Sequence, residues 1–148
     1  MMGIILKDID TAKRLLDSEA LSICIVKDGE VIFKSSEKGV KPVYLISQMD
    51  ISVFRGSSVA DRVIGKAASI VFKKIGFKAI YTKIISEKAV DILGEEKISY
   101  DKLVRNILNR KKNDRCPVEK LSEDIDDYDI LVDKIGEFIE NMKASERR

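Results

Sequence analysis

The hydrophobic positions change period several times along the chain, and each change marks an element. In DIDTAKRLLDS (8–18), Ile9, Ala12, Leu15 and Leu16 form the stripe of an amphipathic helix, with Asp8 or Asp10 available as its cap. The period then drops to two. In LSICIVKDGEVIFKSSE, Leu21, Ile23 and Ile25 alternate with Ser22 and Cys24, and a second apolar run follows at 31–34. Lys27-Asp28-Gly29-Glu30 between the runs reads as a hairpin turn, because Asp-Gly supplies the positive φ angles a tight turn needs. Residues 37–55 have no clear period and are punctuated by Gly39 and Pro42; their apolar block PVYLISQMDISVF reads as a short strand or a packed loop.

The spacing predicts a second helix from Ser57 to Ile75, with Ala60, Ile64, Ala67, Ala68, Val71 and Ile75 on one face and Gly76 as its stop. FKAIYTKIIS (77–86) is apolar except at its lysines, which suits a strand covered on both faces. SEKAVDIL follows as a helix capped by Ser86, with Glu87 in its first turn and Gly94 as its stop. Ile98 to Tyr100 reads as a short strand, Asp101 to Asn109 as a short helix, and 109–119 as a polar loop. The last helix is expected over 123–143, where Ile125, Tyr128, Leu131, Val132, Ile135, Phe138, Ile139 and Met142 keep helical spacing. This order predicts one domain over residues 1–148, a three-layer α/β/α sandwich with a mixed sheet.

Composition matters here chiefly through what is missing. The chain has no histidine, which removes histidine-based acid–base catalysis, Ser-His-Asp triads, Cys-His dyads and every His-containing zinc site. Its two cysteines, Cys24 and Cys116, are too far apart for a CxxC pair. The net charge is only +2, with one basic cluster between Arg105 and Arg115, so nucleic acid is not the expected partner. No apolar run approaches the roughly 18 residues of a membrane span. The first residues carry acids and no cleavage pattern, so a signal peptide is not expected and the cytoplasm is the expected location.

The resemblance rests on three stretches: SSVADRVIGKAAS (57–69), IISEKAVDIL (84–93), and the set Asn109-Arg110 through Cys116-Pro117-Val118-Glu119. In these the chain resembles a small prokaryotic family that has a cytidine-deaminase-like fold without the deaminase metal site. In deaminases the first catalytic helix opens with His-Ala-Glu or Cys-Ala-Glu and the next with Pro-Cys-x-x-Cys; the corresponding places here read Val59-Ala60-Asp61 and Ser86-Glu87-Lys88-Ala89. Val59, Ser86 and Ala89 cannot form a zinc site, and without a metal, water stays a poor nucleophile. Zinc-dependent deamination is therefore expected to be absent, and no cofactor is expected.

What the resemblance implies is a fold and a pocket. Asp61, one turn into the expected helix and on the flank of its apolar face, reads either as a helix-start acid or as a pocket carboxylate acting as base or nucleophile. Gly56-Ser57-Ser58 at that helix start reads as ordinary capping or as an anion cradle. Ser86 and Glu87 open the neighbouring helix, and the fold would bring both helix tips to one site. Cys24, alternating with apolar neighbours in a strand, reads as a small core or surface residue. Cys116, between Arg115 and Pro117, is a candidate nucleophile. Asn109, Arg110 and Glu119 are candidates for a polar rim, with Arg110 placed to grip a phosphate or carboxylate. Lys66 reads as solvated. The leading expectation is a metal-free domain binding a nucleotide or another phosphorylated small molecule. The alternatives are a metal-independent group-transfer enzyme using Asp61 or Cys116, and a protein–protein module whose last helix is an interface, in a homo-oligomer for example.

Overall fold

The computed structural model describes residues 7–109 and 111–146. Helix α1 (Asp8–Ser18) lies where the spacing predicts it and leads into an antiparallel hairpin of β1 (Ile23–Lys27) and β2 (Glu30–Ser35). At the turn Gly29 takes a φ of 82°. The N–H groups of Asp28 and Gly29 donate to the Asp8 carboxylate at 2.9 and 3.0 Å, so the first residue of α1 pins the hairpin tip.

The irregular stretch that follows is neither strand nor loop but helix α2 (Lys41–Ser47) and a 3₁₀ turn (Ile51–Phe54). Pro42 sits in the first turn of α2, where its missing N–H costs nothing, and it is buried with Val43 and Ile46.

Residues 57–75 are not one helix. Ser58–Ile64 form strand β3, Gly65 is the break, and Lys66–Ile75 form α3. The reason lies in burial on both faces. Val59 faces one core and Ala60 the other, so successive residues of β3 are apolar, a pattern that a helical wheel also accommodates. The β-branched residues Val59, Val63 and Ile64 favour the strand. Gly76 ends α3 with a φ of 82°, as expected of a helix stop.

Strand β4 (Ala79–Ser86) and helix α4 (Glu87–Leu93) follow as predicted, with the Ser86 hydroxyl capping α4. Strand β5 then runs through Ile98–Val104, so the helix expected over 101–109 does not form. Its residues instead pair with β4 from Ile98 as far as Val104. The helix expected from 123 begins only at Tyr128, as α6 (Tyr128–Glu146), and a short helix that was not expected, α5 (Pro117–Ser122), forms at the end of the polar loop. The Asp127 carboxylate takes the Ile130 N–H at 2.9 Å, which caps α6 and sets its start.

The five strands lie in the order β2-β1-β3-β4-β5, antiparallel at the first two interfaces and parallel at the last two. On one face α1 covers Cys24, Val26, Ala60 and Tyr81 with Ala12 and Leu16. On the other, Ile23, Ile25, Val59 and Ile80 meet Ala67, Val71 and Ile75 of α3, and Leu131 and Ile135 of α6. The expected three layers are thus realised around a mixed sheet. The apolar stripe of α6 is spent largely on this core, and Gly136 lets α6 approach the Tyr44 ring of α2.

Arg62 of β3 fixes α1 to the sheet. Its Nε donates to the Leu21 carbonyl at 2.6 Å and its Nη2 to the Leu16 carbonyl at 2.8 Å, so a cation closes the C-terminal end of α1. Arg62→Met keeps the stem and loses both bonds. It is expected to lower the unfolding free energy by about 2 kcal/mol, read as a lower urea midpoint at unchanged slope.

Candidate functional site

The two helix tips that the sequence led us to expect do meet, but the first is not at 57–61. Ile64 pairs with Ile85 in the parallel ladder, so Gly65 and Ser86, the next residue of each chain segment, emerge side by side at the C-terminal edge of the sheet. There α3 begins at Lys66 and α4 at Glu87. Asp61 lies four residues earlier on β3, opposite Thr82, about 13 Å back along the strand.

The tip of α3 holds a carboxylate from elsewhere in the chain. One Glu119 oxygen accepts the Lys66 N–H at 2.9 Å, and the other accepts the Ile107 N–H at 3.2 Å. Gly65 makes the room: a Cβ there would collide with Glu119 Oε1. The Lys66 ammonium holds the far end of the same segment, donating to the Glu123 carbonyl at 2.9 Å and pairing with Asp126 at 2.9 Å. Lys66 is only 5% exposed, which corrects its reading as a solvated residue. The tip of α4 is closed by Ser86, whose buried hydroxyl accepts the Ala89 N–H at 3.2 Å. Glu119 and Ser86, both expected at the site, are therefore brought to it, together with Gly65, Lys66 and Ile107, which were not expected.

The other candidates disperse. Gly56 and Ser57 precede β3 and Ser58 opens it, so no helix N-terminus exists there to cradle an anion. Gly56 is a turn glycine with φ of 78°, and the buried Ser57 hydroxyl donates to the Phe54 carbonyl. Glu87 is exposed in the first turn of α4. Asn109 closes its own loop, its amide donating to Asn113 Oδ1 at 2.8 Å. Arg110 lies outside the described residues. Cys116 stands at the N-terminal end of α5 with its N–H on the Ile107 carbonyl at 2.8 Å. The neighbouring Arg115 forks onto Glu123 at 3.1 and 3.2 Å, so its guanidinium is directed at a carboxylate and not at the thiol. Cys24 is fully buried, which decides between the core and surface readings in favour of the core.

Asp61 is buried, but on a strand and not at a helix tip. Around it both central strands rotate. Arg62 and Lys83 reach Asp17 on α1, whereas Ile64 and Ile85, two residues further on, lie in the opposite core. At this rotation Asp61 Oδ1 accepts the Arg62 N–H at 2.7 Å and the Val63 N–H at 3.4 Å, and Thr82 Oγ1 donates to the Ile84 carbonyl at 3.0 Å. The two buried polar side chains thus satisfy backbone groups where the ladder changes face. Desolvation raises the Asp61 carboxyl to about 7 against the pull of the two N–H bonds and of Arg62.

The residues at the tips do not fit a deaminase zinc. Gly65 and Ala89 offer no donor atom, the Ser86 hydroxyl is held by a backbone N–H, and Glu119 supplies one carboxylate already bonded to two amides. Among the described residues no three His, Cys, Asp or Glu side chains gather as a metal site would require. Nor is any helix among them long and apolar enough to cross a membrane.

These features define an α/β domain with a five-stranded mixed sheet flanked by helices, whose parallel half ends at two adjacent helix tips. The chain belongs to the TM1506 family, described as a domain of unknown function (DUF1893), which it matches over residues 11–139. Its structure is similar to the crystal structure of a DUF1893 family protein (TM1506) from Thermotoga maritima, with a TM-score of 0.76 and 29% identity over 89% of this chain and 90% of that one. A curated protein, dehydrogenase/reductase SDR family member 6 of Aquarana catesbeiana, is 41% identical over 73 residues, 49% of this chain. The match covers 27% of that protein, so the chain spans about a quarter of the relative's length.

Proposed function

We propose that this is a metal-free domain of cytidine-deaminase-like fold that binds an anionic, nucleotide-like small molecule at the C-terminal ends of β3 and β4. One observation carries the reading: the α3 tip already accepts a carboxylate, presented by Glu119 from another element. Free N–H groups and the helix dipole make such a tip favourable for negative charge. In open α/β sheets, ligands bind outside the carboxyl ends of the strands. The strand order β2-β1-β3-β4-β5 supports the fold part of the reading. In this reading Glu119 holds the place of the ligand's anionic group, Gly65 leaves the backbone open to it, and Ser86 lines the adjacent tip.

A panel of nucleotides and inorganic phosphate, followed by thermal unfolding, tests this. A ligand present at a hundredfold excess over its dissociation constant should stabilise the protein by about 2.7 kcal/mol. Glu119→Gln removes the competing charge and should enlarge the shift. Absence of any shift in both the parent protein and Glu119→Gln overturns the reading.

One observation favours the alternative, group transfer without a metal: Asp61 holds its proton near neutrality, as a general acid or base requires. That alternative predicts turnover abolished in Asp61→Asn with ligand binding intact.

A further inference from the structure

Helices α3 and α4 pack side by side over the sheet, and the seam between them is not closed along its whole length. A crevice of about 360 Å³ lies between their C-terminal ends, lined by the apolar Phe72, Phe77, Ile80 and Leu93 and by the helix stops Gly76 and Gly94. A second, of about 530 Å³, is lined by Ile70, Ile92, Lys74 and Tyr128. Lys73 lines both, so the two adjoin along one groove. Each volume lies within the roughly 300–1,000 Å³ of small-molecule sites. The Ile80 N–H donates to the Lys97 carbonyl at 2.8 Å, so the 94–97 loop that borders the first crevice is fixed to β4.

The charges around this groove are exposed and, among the described residues, enter no ion pair: Lys73, Lys74 and Lys97 against Glu95 and Glu96, three cations to two acids. Asp126, which borders the second crevice, is already paired with Lys66 at 2.9 Å. Glu95 and Glu96 adjoin Lys97 at the first crevice, so the positive surplus falls at Lys73 and Lys74. The Lys74 ammonium stands 5.7 Å from the centre of the Tyr128 ring. Lysines in the last turn suit the C-terminal end of a helix, and that accounts for their place in the sequence. It does not account for an unfilled crevice against Phe72 and Phe77, two core rings set edge to face at 5.2 Å, where close packing is the rule. A polyphosphate is a poor occupant, because its further charges would meet Glu95 and Glu96. A single negative charge on an apolar body meets both the lysines and the apolar wall.

We propose that the α3–α4 groove binds a small monocarboxylate with an apolar body, the carboxylate held by Lys73 and Lys74 and the body lodged against Phe72, Phe77 and Leu93. Sites for small molecules combine such an apolar lining with a few placed charges that fix orientation. Lys73 follows Lys66 by seven residues of α3, about 10 Å along the helix, so this groove is separate from the Glu119 crevice. The ligand class differs as well, and the two sites stand or fall independently.

The chain has no tryptophan, so the emission of an indole compound is read without background. The full chain is titrated into indole-3-propionate, and the anisotropy and emission maximum of the indole are followed. A rise in anisotropy with a blue-shifted emission is expected. Lys73→Glu, at an exposed position, should weaken binding about tenfold. Leu93→Asn should weaken it about threefold or more, with the far-ultraviolet circular dichroism unchanged. Octanoate as competitor tells an alkyl body from an aromatic one: the compound effective at the lower concentration is the better model of the ligand. No change in anisotropy at low salt overturns the proposal, and so does equal affinity in the parent and Lys73→Glu. Displacement of the indole by inorganic phosphate at constant ionic strength also overturns it, because the carboxylate would then sit at the α3 tip.

Discussion

Asp61→Asn is expected to make the protein more stable at pH 8 than the parent and to leave it nearly unchanged at pH 4. The carboxyl is raised from an ordinary value of 3.8 to about 7 in the fold, because burial penalises its charge. The folded state therefore holds this proton more tightly than the unfolded chain does. Its contribution to stability is full below about pH 4 and is lost as pH rises through about 7. The loss amounts to about 4 kcal/mol at most, from the size of the shift. Asparagine stays neutral and keeps an oxygen for the Arg62 and Val63 N–H groups. The informative quantity is the difference in unfolding free energy between parent and variant across this range. Asp17, Asp50, Asp114, Glu123 and Asp126, all held below their usual range by hydrogen bonds to neighbours, push the parent's own profile the other way. Taking the difference removes them. A flat difference from pH 4 to pH 8 would mean that Asp61 is ionised in the fold, and the account of it as a buried, protonated backbone partner would fail.

The second large effect is expected at the helix tip. Gly65 has a φ of −103°, which alanine adopts without strain, so Gly65→Ala acts through space alone. Its Cβ collides with Glu119 Oε1, and the carboxylate must leave Lys66 and Ile107. Two charge-assisted hydrogen bonds are lost, a cost of about 2–3 kcal/mol. Glu119→Ala should cost a similar amount by leaving the same N–H groups unpaired. The two should not add. In the Glu119→Ala background only the 3.1 Å approach to Ile107 Cγ1 remains, and Gly65→Ala should cost much less than in the parent, its residual cost offset in part because alanine restricts the unfolded chain. Chemical denaturation of the four proteins gives the coupling directly. If Gly65→Ala costs the same in both backgrounds, Glu119 is not seated on the α3 tip.

Local chemistry determined a good deal of this protein. The 8–18 stripe, the Asp28-Gly29 turn, the Ser86 cap and the stops at Gly76 and Gly94 depend on neighbours within one turn or one hairpin, and each is in place. The lack of histidine narrowed the chemistry without any structure. The stretch VADRVI could not be assigned from its own pattern, because a strand buried on both faces has no period of two to display. An isolated glycine between Val63-Ile64 and Lys66-Ala67-Ala68 was the available sign that a strand ends and a helix begins there. Tertiary structure alone decided the rest. Glu119 reaches Lys66 across more than fifty residues of sequence. Asp61 exchanged a helix tip for a backbone rotation because β3 and β4 turn together. No local pattern encodes which carboxylate fills a helix end, since that depends on which segments the sheet order brings to the same edge.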